Sequence, residues 1–559
     1  MFNDRWSIEY LAELMLKRGM RTLVTSPGSR NAPILEAFCK NRKFDCVNIV
    51  DERSAAFFAL GMAQQTQTPV AIACTSGSAP LNYAPAIAEA YYQRIPLIVL
   101  TADRPVEYID QGDGQTIRQN NVFANFIKKS FQLPQSIQSH DDLWYANRLV
   151  CEALNAVMYP VTGPVHINIP FSEPLYGKDF SGWPPPKDFT IVPTRKELAT
   201  DALNDLTQEW HSHKKKLIIA GQMPPNDNLQ TLLQEFSQDE TVVVLTESLS
   251  NLYGKHFIAW IDRCLAAMPN NNAPFVPDLL ITIGGPVISK RIKSWLRKSP
   301  AKAHWHVDPD DQNLDTYQQL TRTILMEPLH FLQQMQPALR YTQGDYAALF
   351  AKLSDTAMMK HDAFLKESPY SDLKIFEQIV NHTPKDYHIQ LANSTPVRYA
   401  QLMDFAQPMR TDSNRGVSGI DGCTSTAAGA AFASGKNTLL ITGDLAFFYD
   451  SNGLWLKNIP KNLKIIVIHN GGGGIFRFLN GPDTTGLLEE HFESRHNTSA
   501  KFICKAYGAE YLFAKCEVSL RAALVDFFAH NHSAIVLEVE SPAEISGTTL
   551  RNYFSYLGA

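Results

Sequence analysis

The segment TLLITGDLAFFYDSNGLWLKNIPKNLKIIVIHNGGGG, residues 438–474, is the clearest indication of the fold class of this chain. It contains two apolar runs, at 438–442 and 463–469, and each run ends in polar residues and glycines. Continuous apolar runs of this length are typical of strands that are buried on both faces, and such strands belong to parallel sheets covered by helices. The segment therefore predicts a doubly wound α/β fold.

The same alternation of apolar runs and helical patterns occurs throughout the chain. The apolar runs fall into three sets: 21–26, 45–50, 70–75, 96–101 and 163–169; 216–221, 242–247, 279–285 and 304–308; and 388–393, 438–444, 463–470 and 534–539. Trp183-Pro-Pro-Pro-Lys187 separates the first two sets, because a proline run cannot continue a helix or a central strand. A chain of 559 residues is also long enough for three cores. We therefore predict three consecutive doubly wound α/β domains with mostly parallel sheets, at residues 1–180, 190–350 and 365–559.

Composition and charge exclude several classes of protein. Hydrophobic residues make up 45% of the chain and charged residues 19%, which is typical of a folded globular protein. The formal net charge of −5 disfavours a nucleic-acid coat or a polybasic membrane anchor. The cysteines form no CxxC pair, and no apolar run reaches the roughly 20 residues that cross a bilayer. We therefore expect reduced thiols and a cytoplasmic protein.

A carboxylate and an amide follow two of the predicted strands of the third domain. Asp444 and Asn470 stand 26 residues apart, which leaves room for a strand end, one helix and a second strand. Because ligands of such sheets lie beyond the carboxyl ends of the strands, both side chains can meet at one edge. Oxygen ligands suit Mg²⁺ with a diphosphate, and the glycines at 471–474 let the backbone approach phosphates closely. Taken singly, Asp444 is also explained as a helix cap and the glycines as a turn.

Gly443-Asp444 followed by Asn470 resembles the motif of thiamine-diphosphate enzymes, which is usually written Gly-Asp-Gly followed by Asn. The resemblance implies Mg²⁺, for which Mn²⁺ can substitute, held by Asp444, Asn470 and the backbone oxygen of Gly472. Leu445 stands where the motif usually has its third residue, glycine, and the menaquinone-pathway members of the family tolerate leucine there. His469 stands where better-known members have asparagine. A second Gly-Asp-Gly, at 112–114, follows no buried strand, and we reject it.

Glu52 lies at the end of a predicted strand and before an apolar helix. A carboxylate in an apolar site holds its proton more tightly than one in water. In the family that this chain resembles, a glutamate shares a proton with the aminopyrimidine ring of the cofactor, and the resemblance assigns that role to Glu52. Without the motif at Asp444 and Asn470, a first-turn glutamate that interacts with the helix dipole would be the simpler interpretation.

The resemblance also implies a pocket for thiamine diphosphate in the third domain. It assigns Ile420 to the bulky aliphatic side chain across which the cofactor is bent into a V. Ile475 and Phe476 would line the same pocket, although each could equally be part of the core. The remaining implied pocket residues are Ser418 and Leu445.

Arginines recur after the predicted strands, where ligands of this fold bind. Guanidinium groups bind carboxylates through paired, charge-assisted hydrogen bonds, so several arginines suit polyanionic substrates. The motifs that resemble the menaquinone-pathway synthases of the family are SPGSR (26–30), DERSAAFFALG (51–61), TADRP (101–105), QTIRQ (115–119), SKR (289–291), NS-x-x-x-R (393–398) and NRG-x-SGIDG (414–422). The substrate pocket that this resemblance implies consists of Ser29, Arg30, Arg104, Gln115, Lys290, Arg291, Ser394, Arg398 and Arg415.

Members of that family remove carbon dioxide from 2-oxoglutarate and add the remaining succinyl group to isochorismate, and this is the activity that we expect. We assign Ser394 and Arg398 to the group derived from 2-oxoglutarate. The residues assigned to isochorismate are Arg30, Arg104, Gln115, Lys290, Arg291 and Arg415. The resemblance also implies a homodimer, or a homotetramer, in which Glu52 of one subunit meets the diphosphate site of another.

Two alternative functions remain open at this point. A decarboxylase or an acetolactate-type carboligase explains Glu52, Asp444 and Asn470 but leaves the arginines without a role. A non-catalytic nucleotide-binding protein, acting as a scaffold or regulator, is the alternative from a different class. In that protein, replacing Glu52 by Gln would have no measurable effect.

Overall fold

The computed structural model describes residues 3–177, 182–310, 313–338, 340–405, 409–478 and 481–559. It contains three six-stranded sheets, at residues 22–170, 216–324 and 388–540, and the strand pairs among the described residues are parallel. The predicted α/β class, with three consecutive parallel-sheet domains, is therefore confirmed. The limits of the domains stay a prediction.

The first sheet is formed by β1 (Thr22–Thr25), β2 (Asp45–Asn48), β3 (Val70–Cys74), β4 (Leu97–Asp103), β5 (Lys129–Gln132) and β6 (Val165–Pro170). Its strand order is β2-β1-β3-β4-β6-β5. The helices of this part of the chain are α1 (Trp6–Lys17), α2 (Ala32–Cys39), α3 (Glu52–Thr66), α4 (Ala79–Gln93) and α5 (His140–Ala156).

The middle sheet is formed by β7 (Lys216–Ala220), β8 (Val242–Leu245), β9 (Phe257–Ile258), β10 (Leu279–Ile283), β11 (Ala303–Val307) and β12 (Arg322–Ile324). Its order is β12-β11-β10-β7-β8-β9, which is the order of a dinucleotide-binding fold. The helices here are α6 (Thr200–Ser212), α7 (Asp227–Phe236), α8 (Ile261–Ala267), α9 (Lys290–Lys298), α10 (Pro328–Met335) and α11 (Tyr346–Glu367).

The third sheet is formed by β13 (His388–Leu391), β14 (Thr411–Ser413), β15 (Thr438–Gly443), β16 (Leu463–His469), β17 (Glu510–Ala514) and β18 (Ile535–Glu540). Its order, β14-β13-β15-β16-β18-β17, repeats the order of the first sheet. The helices here are α12 (Asp372–His382), α13 (Thr395–Ala400), α14 (Cys423–Ser434), α15 (Asp444–Tyr449), α16 (Ala500–Tyr507), α17 (Glu517–Ala529) and α18 (Ala543–Gly558).

The first and third sheets share one hydrophobic core, which is built around α3 and α14. These helices cross at two glycines. A Cβ at Gly61 would overlap the carbonyl oxygen of Thr426, and a Cβ at Gly429 would overlap that of Phe58. The close crossing therefore requires glycine at both positions, and it fixes the two sheets relative to each other.

None of the helices within the described residues combines the length and the apolar character that crossing a bilayer requires.

Candidate active site

Asp444 lies at the carboxyl end of β15 as the first residue of α15, and its side chain is buried. β16 pairs in parallel with β15, so the chain after His469 returns to the same edge of the sheet. Asp444 Oδ2 accepts hydrogen bonds from the backbone N–H groups of Gly471, at 2.8 Å, and Gly472, at 3.0 Å. The two strand ends therefore meet at one buried carboxylate.

Asn470, the second predicted metal ligand, interacts with a different neighbour. Its amide hydrogen-bonds Asp372, a buried carboxyl in the first turn of α12. Burial raises the pKa of Asp372 to about 6, and the hydrogen bonds from Ser541, Asn470 and Ser546 limit the rise. Within the part of the chain that the structure describes, Asn470 and Asp444 share a sheet edge but no hydrogen bond.

Two imidazoles that the sequence analysis did not select as ligands face Asp444. The Nε2 atoms of His469 and His496 lie 4.0 Å and 3.6 Å from Asp444 Oδ2. The two rings stack, with centroids 5.4 Å apart and an interplanar angle of 24°. His469 Nδ1 lies 2.7 Å from Glu538 Oε1, and this hydrogen bond leaves His469 Nε2 on the side of Asp444. His496 Nε2 is buried and has no hydrogen-bond partner among the described residues.

At this edge, burial and the neighbouring charged groups shift the pKa values of the side chains in opposite directions. Burial raises the pKa of the Asp444 carboxyl, whereas the neighbouring imidazoles lower it. Burial lowers the pKa of His469, but its hydrogen bond to Glu538 and the nearby Asp444 charge raise the pKa more, so the net shift is upward. Burial alone would raise the pKa of Glu538, and hydrogen bonds from His469 and Tyr511 bring it down to about 2.

These residues fit a divalent cation beside a diphosphate. Potential ligand atoms of Asp444, His469 and His496 lie within 4.8 Å of one another. Gly472 has a φ of +150°, and a Cβ there would overlap the carbonyl oxygen of Glu493, so glycine is required for the loop to turn towards Asp444. Carboxylate and carbonyl oxygens suit Mg²⁺ and Mn²⁺, and imidazole nitrogen adds a donor that Mn²⁺ accepts more readily than Mg²⁺.

The predicted cofactor-pocket residues all follow strands of the third sheet. Ser418 and Ile420 lie in the loop between β14 and α14, and Ser418 has a φ of +70°. Leu445 is the second residue of α15, and a 3-10 turn at Gly474–Arg477 contains Ile475 and Phe476. The β14–α14 loop is fixed to the sheet through Asn393, whose side-chain amide donates to the carbonyl oxygens of Asn414 and Gly419.

Glu52 is the first residue of α3, and burial raises its pKa. Two neighbours of Glu52 contact the third domain of the same chain. Asp51 Oδ2 accepts a hydrogen bond from Asn452 at 2.7 Å, and Arg53 donates to the carbonyl oxygen of Tyr449 at 2.8 Å. Both contacts lie at or beyond the carboxyl end of α15, whereas Asp444 begins that helix. In the described residues no hydrogen bond or ion pair joins Glu52 to Asp444.

Part of the predicted substrate pocket forms a cluster at the carboxyl ends of β1 and β4. Arg30 is buried and donates to the carbonyl oxygen of Phe171 at 3.0 Å and to Glu173 at 3.1 Å. Burial lowers the pKa of Arg30, and the nearby charge of Arg104 lowers it further. Arg104 donates to the carbonyl oxygen of Gly114 at 3.1 Å. The other two predicted residues, Ser29 and Gln115, lie in neighbouring loops, and both are exposed.

The remaining predicted residues form a second cluster between the middle and third domains. Burial lowers the pKa of Arg415, and the charge of the neighbouring Arg398 lowers it further. The Nε atoms of both arginines are buried and have no hydrogen-bond partner in the described structure. Arg415 Nη1 donates to Asn393 at 3.1 Å. Ser394, with a φ of +73°, directly precedes α13, which contains Arg398, and α9 begins with Lys290 and Arg291.

Two buried carboxyls that the sequence analysis did not single out hold this second cluster. Glu247 accepts hydrogen bonds from the N–H groups of Ile288, at 2.6 Å, and Ser289, at 2.8 Å, immediately before α9. Asp262 accepts a hydrogen bond from the Ser289 hydroxyl. Burial raises the pKa of Glu247 to about 7, and burial also raises that of Asp262, which Arg291 and Arg398 counteract. In the described structure, no hydrogen bond or ion pair joins the two basic clusters.

Comparison with known proteins identifies the class first. Residues 6–122 match the model of the N-terminal binding domain of thiamine pyrophosphate enzymes, and residues 186–391 match that of their middle domain. Benzoylformate decarboxylase from Polynucleobacter necessarius has the same fold, with a TM-score of 0.72 and 17% identity over 96% of this chain and 98% of that one. Fold, family models and the metal-compatible edge define a thiamine-diphosphate enzyme with a divalent metal.

The particular family follows from relatives that match over their whole length. A 2-succinyl-5-enolpyruvyl-6-hydroxy-3-cyclohexene-1-carboxylate synthase from Porphyromonas gingivalis is 41% identical over 100% of this chain and 98% of its own. A synthase of the same name from Flavobacterium johnsoniae is 41% identical over 98% of each chain. The chain belongs to the family of 2-succinyl-5-enolpyruvyl-6-hydroxy-3-cyclohexene-1-carboxylate synthases.

Proposed function

We propose that this protein decarboxylates 2-oxoglutarate and adds the succinyl group to isochorismate, which gives 2-succinyl-5-enolpyruvyl-6-hydroxy-3-cyclohexene-1-carboxylate and carbon dioxide in menaquinone biosynthesis. The observation that carries the proposal is the pairing of a buried, metal-compatible Asp444 edge with two half-buried arginines, Arg398 and Arg415, whose Nε atoms are buried and have no hydrogen-bond partner in the described structure. A plain decarboxylase needs the first feature but has no use for the second. The names of the full-length relatives support the same product.

The Asp444 edge would hold the metal and the diphosphate. Asp444, Asn470 and the backbone oxygen of Gly472 would bind Mg²⁺ or Mn²⁺, with His469 and His496 as adjacent nitrogen donors. When bound, thiamine diphosphate supplies the carbanion chemistry that decarboxylation and carbon–carbon bond formation need. The protein contributes a buried carboxylate at Asp444, which the N–H groups of Gly471 and Gly472 hold in a fixed orientation.

Glu52 would hold a proton at the aminopyrimidine ring of the cofactor. Burial raises its pKa, which favours a carboxyl group that shares its proton with a ring nitrogen. The helix that follows keeps the carboxyl in place, because Asp51 caps α3 through the N–H group of Ser54. Glu52 is therefore the residue that we expect to matter for turnover more than for cofactor binding.

The arginines would hold the carboxylates of the two substrates. A half-buried guanidinium with an unused N–H donor favours an anion, and a carboxylate can accept two parallel hydrogen bonds from it. Ser394 and Arg398 would bind the acid derived from 2-oxoglutarate. The residues that would bind isochorismate are Arg30, Arg104, Gln115, Lys290, Arg291 and Arg415. Positioning both acids next to each other lowers the entropic cost of joining them.

A homodimer, or a tetramer built from it, would complete the site. Among the described residues no hydrogen bond or ion pair joins Glu52 to Asp444 of its own chain, so a second copy would supply one of the two. Large apolar side chains are exposed around this region, including Val50, Leu81, Tyr449 and Trp455, and a subunit interface would cover them. Exposed free thiols at Cys39 and Cys46 suit a reducing, cytoplasmic location.

The direct test is mass spectrometry of the product after mixing the protein with thiamine diphosphate, Mg²⁺, 2-oxoglutarate and isochorismate, omitting each in turn. The proposal predicts an adduct of isochorismate with a succinyl group, formed only when all four are present. Release of carbon dioxide from 2-oxoglutarate without an adduct would keep the cofactor chemistry but reject the acceptor. Turnover of pyruvate instead would support an acetolactate-type carboligase.

A further inference from the structure

Glu89, in α4 of the first domain, reaches the loop that joins β14 to α14 in the third domain. Its side chain is 2% exposed. Oε1 accepts a hydrogen bond from the N–H group of Gly416 at 2.6 Å, and Oε2 accepts from those of Val417, at 2.7 Å, and Ser418, at 3.3 Å. One carboxylate thus binds three consecutive backbone N–H groups, and charge-assisted bonds of this kind are stronger than those between neutral groups.

The loop that Glu89 binds lies between two residues of the proposed site, Arg415 and Ile420. Its backbone is strained at Ser418, whose φ of +70° is unfavourable for a residue with a side chain. A Cβ at Gly416 would lie 2.6 Å from the carbonyl oxygen of Glu89, so only glycine permits this approach of α4. The loop conformation therefore depends on contacts from the first domain.

The Glu89 carboxylate belongs to a polar network that includes all three domains. Gln93, one turn further along α4, donates to Glu89 and to the carbonyl oxygen of Ser413, the last at 3.2 Å. Gln222, from the middle domain, donates to Gln93 Oε1 at 2.9 Å and to the same Ser413 oxygen at 3.1 Å. Ser413, at the base of the loop, is thus held from two sides, and Glu89 holds the N–H groups of residues 416–418.

We propose that Glu89 is a positioning residue, which holds the 416–418 loop so that Arg415 and Ile420 face the substrate and the cofactor. The proposal rests on the proposed function, because it takes its roles for Arg415 and Ile420 from there. A carboxylate this deeply buried is costly unless its hydrogen bonds compensate, and a glutamine of the same size could accept with one oxygen only. In the glutamine variant the amide would face a backbone donor, and the loop would have to move.

The test compares the full-length protein with Glu89→Gln and with a control, Gln65→Ala. Gln65 donates to Asp412 at 2.8 Å across the same pair of domains, and among the described residues no hydrogen bond joins its side chain to the loop. We expect Glu89→Gln to raise the Kd for thiamine diphosphate with Mg²⁺ and the KM for isochorismate, each about tenfold, as the loss of one charged hydrogen bond implies. The KM for 2-oxoglutarate should stay within about twofold, since Ser394 and Arg398 lie outside the loop. In the control, the Kd for thiamine diphosphate and both KM values should stay within about twofold of the wild-type values.

A purely structural role would give a different result. General destabilisation would lower the thermal midpoint and change both KM values together, in the control as well as in Glu89→Gln. That result, or a Glu89→Gln protein with wild-type constants, would overturn the proposal. If Glu89→Gln does not fold, Gly416→Ala provides the test instead. This variant moves the loop away from an intact Glu89, so it should raise the KM for isochorismate without raising that for 2-oxoglutarate. A wild-type protein that binds no thiamine diphosphate would overturn the proposed function itself, and this inference with it.

Discussion

The first and third domains repeat one strand order and differ in the chemistry at their strand ends. In both sheets the third strand pairs with the fourth in the same register: Val70 opposes Leu97, and Thr438 opposes Leu463. Counting from these pairs, Ser76 of the first sheet occupies the position of Asp444 in the third. Arg104 likewise occupies the position of Asn470. The same two corners thus carry a hydroxyl and a guanidinium in one sheet and a carboxylate and an amide in the other.

The topology therefore determines where a ligand can bind, and the residues at the strand ends determine which ligand it is. The metal-compatible corner of the third sheet depends on Asp444 and the glycines after β16, which bring backbone N–H groups to it. The first sheet has an arginine pair at the corresponding edge, which suits a carboxylate, and Glu52 at the start of α3. One architecture therefore supplies two complementary halves of a proposed active site.

Replacing Asp444, the carboxylate that distinguishes the third sheet from the first, should abolish cofactor binding. Asp444→Ala deletes the buried carboxylate, and we expect binding of Mg²⁺ and thiamine diphosphate to become undetectable by calorimetry, with turnover lost. Ser76→Ala changes the equivalent corner of the first sheet and should leave cofactor affinity within about twofold, since it removes no charge. Cofactor binding by the Asp444 variant at wild-type affinity would contradict the assignment.

Replacing Glu52 should reduce turnover without weakening the binding of thiamine diphosphate. Glu52→Gln keeps the shape of the side chain but cannot exchange a proton, so we expect turnover to fall about 10²–10⁴-fold, the range of acid–base catalysis. The affinity for thiamine diphosphate should change little, because Asp444 and the glycine loop are untouched. The matched control is Asp51→Asn, which removes an acidic charge from the same end of α3 and should retain most of the activity. Equal losses in both variants would argue that Glu52 acts only as a first-turn carboxylate that interacts with the helix dipole.

The interior of each sheet could be predicted from the sequence, whereas most sheet edges could not. Every interior strand coincides with a continuous apolar run, because it is buried on both faces. Of the six edge strands only β2 was predicted. β9 has two residues, and the exposed and buried positions of β17 follow no clear alternation. An edge strand pairs with only one neighbouring strand and borders solvent on its other side, so its sequence need not be apolar.

The site could be predicted only where a motif named the residues. Asp444 and the glycines were identified because they follow strands, and Glu52 because a family motif surrounds it. His496 gave no signal, since it follows no strand and reaches Asp444 only through the fold. Glu247 and Asp262 were missed because a search for anion-binding groups selects arginines. Contacts between domains, such as that of Glu89, depend on tertiary packing that the sequence does not display.

A substitution at the crossing of α3 and α14 would show whether the first and third domains stabilise each other. Gly429→Ala would stabilise α14 by about 1 kcal/mol if helix propensity alone decided. A Cβ there would overlap the carbonyl oxygen of Phe58, so we expect a net loss of about 1–3 kcal/mol, typical of overpacking. The change in the thermal midpoint of unfolding shows whether the variant is more or less stable than the wild-type protein. Gly114→Ala, which meets no atom within 4 Å, serves as the control and should leave the midpoint unchanged.

The first sheet contains a buried histidine, His166, at a position where the third sheet has valine. His166 in β6 contacts Thr101 at 2.7 Å, and burial lowers its pKa to about 3; the equivalent residue of β18 is Val536. Between pH 6.5 and 3 the unfolded chain binds a proton that the folded chain does not. The free energy of unfolding should therefore fall with decreasing pH, by at most about 1.4 kcal/mol per pH unit. His166→Val, which copies the third sheet, should flatten the pH dependence of the thermal midpoint between pH 6.5 and 4. An unchanged slope would mean that His166 takes up its proton in the folded protein.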